Sequence, residues 1–248
     1  MQYFNKFPRV FYVFGDQEEQ GTGKVSRELV QDISAYSDIL DRIADNIAFH
    51  TFYSIQEGNR PDQCSFDLYG TPIYHWTFFL LNDHLRKQGW PVTNEEINKR
   101  AKLDFPHFTY TTTDSLTNTH KVGETVIGSN TASRGTVLRR NLDLGQVTVD
   151  AQSAFSVGEA VSNVSAAVTT QTVTTTGASA EHLSAHHYEN ADGEIVDIDP
   201  AVGPGAQLTE VTHLDRYIKE NDNLKQIKVV KPDLINQVVS LFKQAINS

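Results

Sequence analysis

One cysteine, one methionine and two tryptophans in 248 residues set the first limits. With Cys64 alone no intrachain disulfide can form and no cysteine-rich metal cluster can be built, so the chain must be held by its own packed core. A lone thiol in apolar surroundings is expected to be a small core residue rather than a reactive group. Basic residues are scarce as well: 21 Lys and Arg against 31 Asp and Glu give a formal charge of −10. That balance argues against a nucleic-acid face, which needs clustered cations. Long hydrophobic runs are missing too. The run Phe78 to Leu81 is far too short to span a bilayer. The opening segment MQYFNKFPRVFYVFGD has neither the basic start nor the continuous apolar stretch of a secretory leader, so a soluble, reducing compartment is expected.

What is present reads as a globular chain, 39% hydrophobic and 21% charged, long enough for one large domain or two small ones. Arg9 to Phe14 (RVFYVF) and Phe49 to Ile55 (FHTFYSI) have the density of strands. Between them Ile39, Leu40, Ile43 and Ile47 fall at helical spacing after Ser37 or Asp38. Pro61 opens a short helix that Gly70 ends. Thr71 and Pro72 then cap a second helix reaching about Asn82. Gly89 to Val92 reads as a short returning strand, and Thr93 with Glu96 as the capping box of a further helix.

From about residue 105 the texture changes to Thr, Val and Ser with many turn residues and little helical period. Val122-Gly123-Glu124-x-Val126 recurs as Val157-Gly158-Glu159-x-Val161, and two degenerate copies suggest paired β-hairpins rather than a solenoid. His186 to Ile198 reads as a hairpin turning at Ala191-Asp192-Gly193. A short helix, the strand KQIKVV and a terminal helix close the chain. That last helix gathers Ile235, Val238, Val239, Phe242 and Ile246 on one face, which must dock on something.

Catalytic and metal motifs fail one by one. GTGK after the first strand is not a phosphate-binding loop: the position five residues before Gly23 needs glycine and is Glu18, and Val25 follows the lysine. His186 and His187 are adjacent on a strand, so without backbone distortion they point to opposite faces and cannot share an ion with His182. Glu95 and Glu96 sit at a helix start, where the macrodipole favours them without any chemistry. No catalytic, cofactor-binding or metal-binding residue is assigned, and no enzyme activity is expected.

The segment Arg60 to Trp90 carries Phe66, Tyr69, Tyr74, Trp76, Phe78, Phe79 and Trp90. In the helix from Pro72 only His75, Thr77 and Asn82 are polar, so it must be covered on more than one side. Ile73, Trp76 and Leu80 can cover their own small domain. Tyr74, Phe78 and Leu81 need a second cover, supplied by a neighbouring subunit or by residues 1–50 and the terminal helix. The expected interface set is Tyr74, Trp76, Phe78, Leu81, Ile235, Val239 and Phe242.

At these residues the chain resembles the baseplate wedge protein 53 family of T-even-like contractile-tailed bacteriophages. The resemblance is carried by the aromatic strand, Arg60-Pro61-Asp62, Tyr69-Gly70, the helix with Trp76, Asn82-Asp83 and Gly89-Trp90. ENDNLKQIKVVKPDLINQVVSLF and HHYENADGE add to it. It covers residues 1–104 and roughly 181–248, with 105–180 as an insertion expected to decorate the outside. The core also resembles a LysM module. The implied fold is α+β: an N-terminal strand and helix segment (1–49), a small LysM-like βααβ core with its following helix (50–104), a β-rich insertion (105–180), and a hairpin with a C-terminal strand and helix (181–248). By family, the chain would be a virion protein made in the host cytoplasm, present in several copies in a six-fold assembly. It would join wedge proteins 6, 7 and 25 and neighbouring wedges, without nucleic acid, membrane or cofactor. The alternative is a module binding N-acetylglucosamine polymers through loops at Gln56 to Asp62 and Asn82 to Gly89.

Overall fold

The computed structural model describes residues 9–14, 26–31, 48–164 and 171–246. The helix expected around Ile39 to Ile47 and the GTGK turn lie outside the described residues. The chain is α+β. β1 (Arg9–Phe14) and β2 (Ser26–Gln31) form an antiparallel hairpin with Phe11 opposite Leu29. Next come β3 (His50–Ser54), α1 (Pro61–Tyr69), a 3-10 turn (Pro72–Tyr74), α2 (Trp76–Leu81), α3 (Asp83–Gln88) and α4 (Asn94–Asp104). A run of strands follows: β4 (Phe108–Thr111), β5 (Thr125–Gly128), β6 (Arg134–Asn141), β7 (Gln146–Ala151), β8 (Ala160–Val164), β9 (Thr172–Thr174) and β10 (Gly177–Ala180). β11 (Ala185–Glu189), β12 (Ile195–Val196) and β13 (Thr209–Thr212) make a three-stranded sheet. α5 (His213–Lys225), β14 (Gln226–Val230) and α6 (Ile235–Ile246) complete the chain. None of the described helices is long and apolar enough to cross a membrane.

Two compact units emerge, and their boundaries differ from the four-part division read from the sequence. One joins Met1–Pro91 to Asp222–Ser248, and the other is Val92–Asn221. The second is therefore a continuous insertion into the first. Its root is fastened by one side chain: buried Asn221 accepts from the Val92 N–H (2.9 Å) and donates to the Val92 carbonyl (3.1 Å).

In the first unit β3 pairs antiparallel with β14, residue 50 opposite 230 through 54 opposite 226. Gly89 to Val92, the partner expected from the sequence, is not a strand. Pro91 has no N–H to give a ladder, Gly89 sits at φ 93°, and the Trp90 indole is engaged with the Asn59 carbonyl (2.7 Å). α1 ends as predicted at Gly70, whose φ of 68° gives the left-handed cap that glycine adopts without strain. The helix predicted from Pro72 to Asn82 is broken. The 3-10 turn covers its first residues, α2 starts only at Trp76, and Asn82 has an extended backbone (φ −126°, ψ 99°). α4 carries the predicted Thr93–Glu96 capping box.

In the second unit seven antiparallel strands run in the order β10-β4-β7-β6-β5-β8-β9. Its first and last strands are consecutive pieces of chain, 172–174 and 177–180, with only Thr175 and Thr176 between them. The Thr175 N–H bonds to Glu159 O (2.9 Å) on one side and the Thr176 N–H to Thr111 O (2.8 Å) on the other, so the sheet closes on itself and leaves no long edge. Inside lie Tyr110, Leu116, Val126, Val137, Val147, Val149, Phe155, Val161 and Val173. The repeat is real in three dimensions. Gly123 N–H bonds to Val137 O and Gly158 N–H to Thr175 O, so each copy starts a hairpin, and β5 and β8 pair with Ile127 opposite Ser162. Those two residues are themselves equivalent under the 35-residue offset, which puts a local two-fold relation between the hairpins.

Candidate functional site

The aromatic helix was the expected site, and the chain itself covers most of it. Trp76, Leu80 and Leu81 pack with Val230, Ile235, Val238, Val239 and Phe242, and the Trp76 and Phe242 rings are 4.7 Å apart. Phe78 lies on the opposite side with Ile55, Cys64, Leu85, Ile227 and Val229. Trp76, Phe78, Leu81, Ile235, Val239 and Phe242 are all buried, so these six cannot present themselves to another subunit. Tyr74 is half-buried and its hydroxyl donates to Asn236 Oδ1 (2.9 Å) on α6. The assignment of faces also changes: Ile73, expected inward, is exposed, whereas Phe78, expected to await a partner, is fully enclosed. Apolar surface in this unit remains elsewhere, on Phe11, Tyr12 and Leu29 of the hairpin, on Phe52 of β3 and on Phe66 of α1.

Asn82 is a positioning residue that sequence reading passed over. Its Nδ2 donates to Phe78 O and Lys228 O (both 2.8 Å), and its Oδ1 accepts the Lys228 N–H (2.8 Å). These bonds explain why the helix stops there, since the side chain completes a strand edge instead of continuing a turn.

A shallow cleft of about 410 Å³ lies where β3 meets α1, lined by Asn59, Asp62, Gln63, Phe66, Asp67 and Pro72. Its lining contains part of the Gln56 to Asp62 loop and none of the Asn82 to Gly89 stretch, most of which is α3.

In the second unit the histidines form a chain rather than a metal site. β11 is irregular between Ala185 and His187, and this distortion turns the two rings together, with His186 Nδ1 and His187 Nδ1 2.8 Å apart. Arg216 Nη1 lies 3.0 Å from His186 Nε2, and an arginine can only donate, so His186 is neutral with its proton on Nδ1. That proton is given to His187 Nδ1, and His187 Nε2–H donates to Glu189 Oε1 (3.1 Å), which also accepts from Lys219 Nζ (2.9 Å). Burial, then Arg216 and His187, push the His186 pKa below its ordinary value, in keeping with the neutral ring. Bonds from Lys219 and His187 hold Glu189 below the usual carboxylate range. A guanidinium closes one end of this chain, and Glu189 with Lys219 forms the other. Its helix partners lie some 30 residues away, where spacing rules give no signal.

Beside it is a polar cleft of about 530 Å³ whose walls include Arg139, Gln146, Thr148, His186 and His213. His213 stacks on Phe105 (4.1 Å), and burial, with His186, Arg216 and Arg139, pushes its pKa down to about 4. Arg139 is paired with the buried Glu181. Buried Glu159 of the repeat accepts from the N–H groups of Asn130 (2.8 Å), Thr131 (2.7 Å) and Ser156 (2.7 Å). Burial would raise its pKa, and these donors outweigh it. Gly128 leaves the room that this carboxylate needs, for a Cβ there would collide with it. Among the described residues no group of three or more His, Cys, Asp or Glu is arranged to hold a metal. No protein-family model and no curated protein sequence matches the chain.

Proposed function

We propose that the chain is a structural subunit of a contractile-tail baseplate wedge, made in the host cytoplasm and built into the virion. It joins wedge proteins resembling 6, 7 and 25, and neighbouring wedges, by protein contacts alone. One observation carries the reading beyond the family resemblance. The β1–β2 hairpin leaves Phe11 73% and Leu29 49% exposed as a directly opposed pair, with Val10 and Tyr12 exposed nearby. A two-stranded hairpin is marginal by itself in water, and opposed apolar side chains on its surface suit docking against another protein. The test is wedge reconstitution with protein carrying Phe11→Ser and Leu29→Ser. Joining is lost while circular dichroism and thermal unfolding of the free protein stay unchanged. Normal joining by the double variant removes the hairpin from the joining surface, and a wild-type protein that joins no wedge component overturns the reading.

A glycan-binding role is the second reading, favoured by the cleft of Asn59, Asp62, Gln63 and Phe66, where a 59% exposed aromatic ring lies among amide and carboxylate groups. Such a lining suits a sugar, which takes one apolar face and several hydrogen bonds. Retention of the protein on N-acetylglucosamine polymer, lost in Phe66→Ala, would replace the assembly reading if the wild-type protein also failed to join wedges.

A further inference from the structure

The two-stranded sheet of β3 and β14 has one sealed edge and one open edge. Bonds from the Ile55 N–H to Lys225 O (2.9 Å) and from the Lys231 N–H to Phe49 O (3.0 Å) flank the ladder and fix its phase. Antiparallel strands alternate between residues that bond their partner and residues that face away. Thr51 and Tyr53 therefore bond β14, and the backbone groups of His50, Phe52 and Ser54 point away from it. On β14 the outward residues are Gln226, Lys228 and Val230. There the chain closes its own edge: Asn82 satisfies both backbone groups of Lys228, and Tyr69 Oη donates to Val230 O (2.9 Å). Among the described residues nothing does the same for β3.

We propose that the open edge of β3 pairs with β3 of a second copy of this chain, antiparallel about a two-fold axis at Phe52. The outward groups lie at 50, 52 and 54, symmetric about the middle one, so residue 52 faces its own copy and 50 faces 54. Every outward N–H and C=O then meets a partner of the right phase. The strand reads HTFYS, without Asp, Glu, Lys or Arg, so two copies of a chain with net charge −10 meet here without like charges opposed. It also lacks the devices that blunt an edge: no proline, no charge, and an unbroken register with β14. Phe52 is 69% exposed, which brings two apolar rings together beside the axis. The sealed edge of β14 limits growth, so the product is one four-stranded sheet shared by two copies and not a filament. The inference does not depend on the baseplate reading.

Disulfide trapping on the full chain tests it, because Cys64 is buried and leaves an introduced thiol alone on the surface. Phe52→Cys forms a disulfide-linked dimer on mild oxidation and Thr51→Cys, on the other face of the strand, does not. In sedimentation, wild-type protein shows a concentration-dependent dimer and Phe52→Lys, with unchanged thermal unfolding, is a monomer. A monomeric wild type at every concentration, or a dimer untouched by Phe52→Lys, overturns the proposal. So does slow hydrogen exchange at the amides of 50, 52 and 54 in the monomer, which would put another segment of the same chain on the edge. Protection appearing only when a different protein is added overturns it in favour of a partner's strand.

Discussion

His213 stands at the start of α5 with Phe105 against one face and His186 edge-on, and its neutral form is what this environment tolerates. Its pKa of about 4 in the folded chain lies below the ordinary 6.5, so the unfolded chain takes up the proton first as pH falls. Its contribution to stability is complete above pH 6.5, declines as pH falls from 6.5 to about 4, and changes no further below that. The ring is half-buried, so the loss is about 1–2 kcal/mol after screening is allowed for. His213→Phe, which keeps the stack on Phe105, flattens urea-unfolding stability over this window. An unchanged slope assigns the acid sensitivity to another group. At the same scale the neighbouring His186 and His187 show where residue-level reading stops. Alternation along a regular strand separates them, and one local irregularity in β11 reverses the result.

Among the elements, α2 and α6 decide the fate of the aromatic segment. Periodicity correctly says that both have apolar faces, and no rule of spacing says that each covers the other across more than 150 residues of chain. Trp76 and Phe242 lie at the centre of that contact. Trp76→Ala or Phe242→Ala is expected to cost about 3–5 kcal/mol in chemical denaturation, because each leaves a cavity between the helices. Their double variant costs less than the sum of the two, since both remove one shared contact. A loss of wedge joining at full stability would instead restore these residues to an interface role. Strand pairing shows the same limit: KQIKVV and HTFYS were each legible as strands, whereas their partnership was not, and the nearer Gly89 to Val92 was the poorer candidate because of Pro91.

The whole molecule is a small helix-and-strand unit interrupted by residues 92–221. The Asn221 bonds to Val92 hold the two ends of the insertion together, which is the geometry that lets one fold sit inside another. With a closed sheet and its own core, the excised 92–221 segment is expected to unfold cooperatively by itself. A chain in which a short flexible linker replaces it between Pro91 and Asp222 should keep the far-UV spectrum and cooperative melting of the first unit. A non-cooperative or aggregated product would show that the halves fold only together. The composition change near residue 105 marked the strand-rich part. The compact unit begins earlier, at Val92, because α4 belongs with the insertion in space.

By itself the sequence determined the local elements that have a local cause: the glycine end of α1, the Thr93 cap of α4, the hairpin-forming repeat and the amphipathic last helix. With Cys64 as the one cysteine it also excluded an intrachain disulfide. Tertiary structure alone decided which strand completes the sheet with β3, what covers the aromatic helix, and how two adjacent histidines come to share a proton. These outcomes depend on contacts between segments far apart in the chain. A residue's own preferences fix its conformation within a turn or two, and only the folded chain fixes its neighbour.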